Sequence, residues 1–368
     1  GQVFEYGRLS LYGFDIILIV IMAILLYCRI VKREEREIRN QKSEISNQKL
    51  EIRRRFIFIF LCFYILLVLI SGAHEKIISL YWLGRFLLGA GLFGAVQQIE
   101  FSKLKLALVV AVTGFIQGLL AIWQFANQSI WSNKWLGMAS QKASELGASV
   151  IEIGGDRYLR AYGSWPHPNI LGGFLILILG AWFYLLTQAK ERQQKRFVIL
   201  TGIGIAAGIF FSFSRASWLI FLTLYAWAWF YVSRYRREKF DKKILSAIGL
   251  VVVVLTVLFA PLVETRMGVG ERQRLEIRSE EERLSGYGQA IEIIKNNWWG
   301  VGMGNYAFTM RDYYKIDDPW EIQPVHNTYL MIWAELGAVG FLLVILLNCY
   351  IIKLLIKRKG WWNLGILM

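Results

Sequence analysis

Nine apolar stretches, each long enough to cross a bilayer, constrain this chain more than any other feature. They run from about 14 to 29, 56 to 72, 80 to 96, 104 to 126, 170 to 189, 197 to 213, 216 to 233, 244 to 263 and 328 to 352. A helix needs about 20 mostly apolar residues to traverse a hydrocarbon core roughly 30 Å thick. Inside that core each backbone N–H and C=O must find a partner within the spanning structure, which favours helices. The stretches are apolar all round and show no single apolar stripe, as expected of helices in lipid or in a membrane bundle. The expected fold is therefore all-α: a polytopic transmembrane helix bundle with about nine complete spans.

The charge pattern orients it. A net charge of +15 and a pI near 9.7 would in isolation suggest a nucleic-acid partner. The basic residues, however, gather in alternate connections: 29–55, 103–105, 190–196, 234–243 and 353–359 hold 26 of the 42 Lys and Arg and, with their flanks, only nine of the 27 acids. That side carries +17 and the remainder −2. Short loops rich in Lys and Arg stay cytoplasmic, so the surplus is a topology signal and gives no support to nucleic-acid binding. The chain divides into N-terminal transmembrane helices (1–126, with a charged cytoplasmic loop at 31–55), a first long outer loop (127–168), central transmembrane helices (169–263), a second long outer loop (264–326) and C-terminal transmembrane helices (327–368). Gly1 is not an initiator Met, and the apolar stretch 361–368 is too short to cross, so truncation at both ends is expected. Cys28, Cys62 and Cys349 lie in or beside spans and imply neither a disulfide framework nor a metal site.

Ionisable side chains at membrane depth are costly and invite a functional question. On the outer side they fall in four clusters. The first is RYLRAYGSWPHPNILGG, with Arg157, Arg160, His167 and Asn169; either His167 meets substrate or this is a loop rim with Asn169 as N-cap. The second is FSFSRASWL, where Arg215 occupies a very short outer turn. It is either a snorkelling anchor or a guanidinium placed to grip a phosphate bidentately. The third starts at Arg283: Leu284, Tyr287, Ile291 and Ile294 predict an amphipathic helix with Arg283 at its start, ended by the glycine-rich turn NNWWGVGMGNY. The fourth is HNTYLMIWAELGAVG, where His326 is either a cap or a proton acceptor, imidazole being the side-chain type whose unperturbed pKa suits proton transfer near neutrality. Glu335 lies nine residues on, half a turn round and roughly 13 Å deeper, at a depth like that of Arg85 in YWLGRFLLG. An Arg85–Glu335 ion pair is expected, because either charge alone would be unfavourable there.

The chain has no phosphate-binding loop of the nucleotide type and no zinc spacing among its three histidines; Asp317-Asp318 reads as a turn. Neither metal nor cofactor is expected. Chemistry outside the membrane then needs a substrate that arrives activated, and a lipid-linked sugar diphosphate meets that need.

In the order GSWPHPNILGGF, SFSRASWL, RLSGYGQAIEIIKNNWWGVGMGNY and HNTYLMIWAELGAVGF, the chain resembles the O-antigen ligase and polymerase superfamily over about residues 155–345. Arg215 with Leu219 resembles the family's R-x-x-x-L element, and Arg283 its arginine ahead of the G-x-G turn. His326 with Gly337 and Gly340 resembles its His-to-Gly-x-x-Gly element, with ten residues between His326 and Gly337, one more than in some ligases. The resemblance implies a multi-pass glycosyltransferase of the bacterial inner membrane with its active site, and both long loops, facing the periplasm. It would work without metal or nucleotide on an undecaprenyl-diphosphate-linked glycan donor. The implied acceptor is lipid A core for a ligase or a lipid-linked glycan for a polymerase. His326 would be the general base, Arg215 and Arg283 the diphosphate holders, and Arg160, His167 and Asn169 substrate-binding residues. A lipid-linked glycan transporter is the non-enzyme alternative. It predicts broken helices, paired halves and midplane polar groups, whereas the ionisable residues here gather outside apart from Arg85 and Glu335.

Overall fold

A computed structural model describes residues 2–6, 9–12, 20, 75–96, 101–235, 239–269, 274–316, 322 and 324–357. The expected spans at 14–29 and 56–72, the loop at 31–55, Cys28 and Cys62 lie outside the described residues. The helices are α1 (Lys76–Val96), α2 (Lys103–Asn127), α3 (Pro168–Gln188), α4 (Arg192–Phe211), α5 (Arg215–Tyr235), α6 (Lys239–Leu258), α7 (Ala260–Met267), α8 (Arg274–Asn296), α9 (Tyr306–Tyr314) and α10 (Thr328–Lys357). Six of them, α1 to α5 and α10, are long and apolar enough to cross a membrane, and α6 with α7 could supply a seventh. The chain is a multi-pass membrane protein.

The stretch expected to span from 244 to 263 is not one straight helix. It breaks at Phe259, and α6 and α7 meet at 86°. Pro261 lacks an N–H and its ring collides with the carbonyl four residues back, so it is accommodated in the first turn of a new helix.

The chain is mostly helical, as expected, but short strands are present as well. Three antiparallel hairpins are present among the described residues: β1 (Gln2–Tyr6) with β2 (Leu9–Tyr12), β3 (Ser129–Ile130) with β4 (Gln141–Lys142), and β5 (Val150–Ile153) with β6 (Asp156–Leu159). The last two fill the first long loop. Ile153 pairs with Asp156 across Gly154 and Gly155, whose φ values of 58° and 93° make the two-residue turn that matches strand twist.

The chain divides into two compact units. One comprises 101–279 and the residues from 354. Its core centres on α2, α3 and α4, with Leu171, Leu175, Leu186 and Ile205 fully buried. Helices α2 and α4 approach closely because Gly118 and Gly204 face each other; a Cβ on Gly118 would collide with the Gly204 carbonyl. Small residues give such contacts in membranes, where apolar lipid removes much of the drive to associate.

The other unit comprises 1–100 and 280–353. Its centre is a break in α10. Gly337 has φ 69° and ψ −175°, which interrupts the helix and frees its preceding carbonyls. The glycine-rich turn docks there: Val301 N donates to Ala334 O and Gly302 N to Glu335 O, both at 2.9 Å, and Ala338 N returns a bond to Trp298 O at 3.2 Å. Any side chain on Gly300 or Gly337 would strike the backbone of the other segment. Buried Asn305 secures the end of this turn, accepting from Glu75 N at 2.9 Å and donating to Ser79 Oγ at 2.9 Å.

Candidate functional site

In the 101–279 unit, the polar residues converge on the turn between α4 and α5. The last carbonyls of a helix lack partners within it. Here every one from Ile209 to Phe213 receives a donor from elsewhere. Trp218 Nε1 is shared by Ile209 O and Phe210 O, Ala161 N donates to Phe211 O at 2.9 Å, Arg160 Nε to Ser212 O at 3.0 Å, and Arg266 Nε to Phe213 O at 2.9 Å. Phe213 is wholly buried at φ 46°, a left-handed conformation rare for a residue with a Cβ. Two residues later Arg215 opens α5, half-exposed.

Arg160 is 4% exposed, and its fork also reaches Ser149 Oγ at 2.8 Å and Asn169 Oδ1 at 2.6 Å. It joins the β5–β6 region, the start of α3 and the end of α4. The cap assignment is exchanged relative to expectation. His167 is the N-cap of α3, its Nδ1 accepting from Asn169 N at 3.1 Å, while Asn169 turns its side chain to Arg160. The loop ahead of His167 hangs on two glutamines of α2. Gln124, fully buried, accepts from Tyr162 N and Gly163 N and donates to Gly163 O; Gln117 holds Ser164 through both its N and its Oγ. Burial pushes the Tyr162 hydroxyl pKa up, partly offset by the Ser149 N–H it accepts and by the charge of Arg160.

In the other unit, His326 is exposed directly ahead of α10. It does not cap that helix. Asn327 does, with Oδ1 accepting from Tyr329 N at 3.0 Å and Leu330 N at 3.2 Å. Arg283 is half-exposed in the tenth position of α8, so it is not at the helix start as expected. The buried stripe of α8 also differs: Ala290, Ile293 and Ile294 are inside with Tyr287 against them, while Leu284 and Ile291 are exposed. The expected Arg85–Glu335 ion pair does not form. Arg85 Nη1 donates to Tyr81 Oη at 2.8 Å and its guanidinium lies over the Tyr81 and Trp82 rings. The Glu335 carboxylate accepts the backbone N–H groups of Gly304 and Tyr306 where α9 begins, a helix end that favours negative charge.

The stretch that holds Arg215, Arg283 and His326 is also the stretch with known relatives. Residues 199–345 match the family model Wzy_C, described as O-Antigen ligase. Residues 199–345 are thus similar to the O-antigen ligase family. Neither a curated protein nor a solved structure matches the chain. The matched stretch runs from within α4 to within α10 and includes Glu335, Gly337 and Gly340 but not Arg85, Arg160, His167 or Asn169. The matched family is one of membrane glycosyltransferase-like enzymes of the ligase and polymerase type. Sequence reasoning overlooked Arg266 within the matched stretch, and Gln117 and Gln124 before it. The glutamines had a signal: two amides seven residues apart on one face of an otherwise apolar span.

Proposed function

We propose that the protein transfers glycan from an undecaprenyl-diphosphate-linked donor to an acceptor hydroxyl at the periplasmic face of the inner membrane, as an O-antigen ligase acting on lipid A core. One observation carries this reading. The ligase-family match contains Arg215, Arg283 and His326, and neither Arg283 nor His326 has a hydrogen-bond or ion-pair partner among the described residues. An exposed imidazole that the helix does not need as a cap is placed to serve as a general base.

In the reaction, the acceptor oxygen bonds to the anomeric carbon and passes its proton to His326. The bond from that carbon to the diphosphate oxygen breaks, and undecaprenyl diphosphate departs with the bonding pair. Arg215 and Arg283 hold the diphosphate and stabilise the charge that grows on it. Attack opposite the leaving group inverts the anomeric configuration, with no metal taking part.

The test is in vitro transfer by the full chain in lipid nanodiscs, from a lipid-diphosphate glycan to lipid A core or to a second lipid-linked glycan. His326→Ala and Arg215→Ala should each lower turnover at least about a hundredfold, the scale of one general base or one charge-stabilising group. Chelator should leave turnover unchanged. Wild-type turnover in both variants would overturn the mechanism. Product lengthened on the carrier would make the enzyme a polymerase, and no covalent product with either acceptor would favour a transporter.

A further inference from the structure

The end of α4 is served by two buried guanidiniums, Arg160 and Arg266, only 4% and 7% exposed. Their Nε atoms donate to the adjacent carbonyls of Ser212 and Phe213 at 3.0 and 2.9 Å. Hydrogen bonding alone does not require positive charge at this place. The neighbouring carbonyls of Ile209, Phe210 and Phe211 are satisfied by neutral donors, the Trp218 indole and the Ala161 N–H. The carbonyl end of a helix carries about half a negative elementary charge, and it sits within two or three residues of Arg215. An anion gripped by Arg215 would meet that field.

We propose that Arg266, with Arg160, is a positioning residue for a diphosphate: the two charges cancel the negative end of α4 and fix the left-handed Phe213, so that Arg215 can hold the anion. The inference rests on the reading of Arg215 as a phosphate-holding residue. It extends that reading to a side chain on α7, beyond the 86° bend. The bend acquires a purpose in this scheme, because it places Arg266 where its guanidinium reaches the Phe213 carbonyl.

The experiment measures binding of undecaprenyl diphosphate, and of uncharged undecaprenol as control, to the full chain in nanodiscs. Arg266→Gln keeps an N–H donor for the carbonyl and removes the charge; Arg266→Lys keeps the charge. Arg266→Gln should raise Kd for the diphosphate about tenfold and leave undecaprenol binding unchanged, while Arg266→Lys stays within about threefold of wild type. Wild-type diphosphate affinity in Arg266→Gln, even with a lowered melting temperature, would make the residue purely structural and overturn the proposal. If Arg266→Gln does not fold, Arg160→Gln makes the same prediction and decides. Arg215→Ala separates the two readings. Weakened binding there with none in Arg266→Gln overturns this inference alone, whereas wild-type affinity in Arg215→Ala overturns the phosphate reading and this one with it.

Discussion

His326 and Asn327 are neighbours at the entrance to α10, and their side chains have different duties. Asn327 caps the helix by accepting two backbone N–H groups, so Asn327→Ala should cost about 1 kcal/mol of stability and lower the melting temperature while folded enzyme keeps its turnover. His326→Ala should do the reverse, keeping the melting temperature and losing transfer; equal destabilisation by both would return His326 to a capping role. Tyr306 supplies a second residue-scale prediction. It is wholly buried, its hydroxyl has no partner among the described residues, and burial raises its pKa from 10.0 to about 12. In the unfolded chain the phenol ionises near pH 10, whereas the folded protein holds the proton to about 12. Its contribution to stability is thus complete below pH 10 and is lost as pH rises from 10 toward 12. Tyr306→Phe removes an unsatisfied buried hydroxyl and should melt at an equal or higher temperature at pH 7. It should also lose less stability than wild type between pH 10 and 12; a marked fall in melting temperature at pH 7 would reveal a partner for the hydroxyl.

At the scale of elements, glycine decides what may approach what. Gly337→Ala would force a Cβ into a left-handed position and against the Trp299 backbone. It should destabilise the protein by at least about 1–3 kcal/mol and release the glycine-rich turn, detected as faster amide exchange at Val301 and Gly302. Gly173 in α3 is the control: a Cβ there meets nothing within 4 Å, and Gly173→Ala should be neutral or stabilising by up to about 1 kcal/mol. Much at this scale was legible in the sequence. The spans from 80 onward could be read because about 20 apolar residues leave a chain few alternatives to a helix. The break at Pro261 and the Gly154-Gly155 hairpin also had local signals, a proline inside an apolar run and a glycine pair between two four-residue strands, but the length criterion alone passed over both. The candidate site was legible only in part. Arg215 and His326 stood out as ionisable groups near span ends and Arg283 as an arginine ahead of a glycine-rich turn, whereas the partners of Arg160, Arg266, Gln124 and Glu335 are set by contacts as much as 53 residues apart in the chain. No periodicity in the sequence carries that information, and for Glu335 a charge of opposite sign at similar depth pointed to the wrong partner.

For the whole molecule, the net charge of +15 acts through its distribution. The connections assigned to the cytoplasm carry +17 and everything else −2, and basic residues near span ends resist translocation. The break in α6–α7 puts this assignment to a test that a simple count of spans would miss. If α6 and α7 together cross the bilayer, the connection 190–196 and the β3–β6 loop must lie on opposite sides, and the β3–β6 loop must share a side with the connection leading into α8. Single cysteines in a background lacking Cys28, Cys62 and Cys349 report this directly. Ser144→Cys in the β3–β6 loop and Val269→Cys after α7 should react with a membrane-impermeant maleimide once the outer membrane is permeabilised. Lys190→Cys, between α3 and α4, should react only after the inner membrane is opened. Reaction of Val269→Cys only under the second condition would make α6–α7 a re-entrant element, leave residues 199–345 with one span fewer, and place Arg283 on the cytoplasmic side. The assignment of Arg283 to a periplasmic diphosphate would then fail, whatever its effect on turnover, because the lipid-linked donor in the proposed reaction presents its diphosphate on the other side.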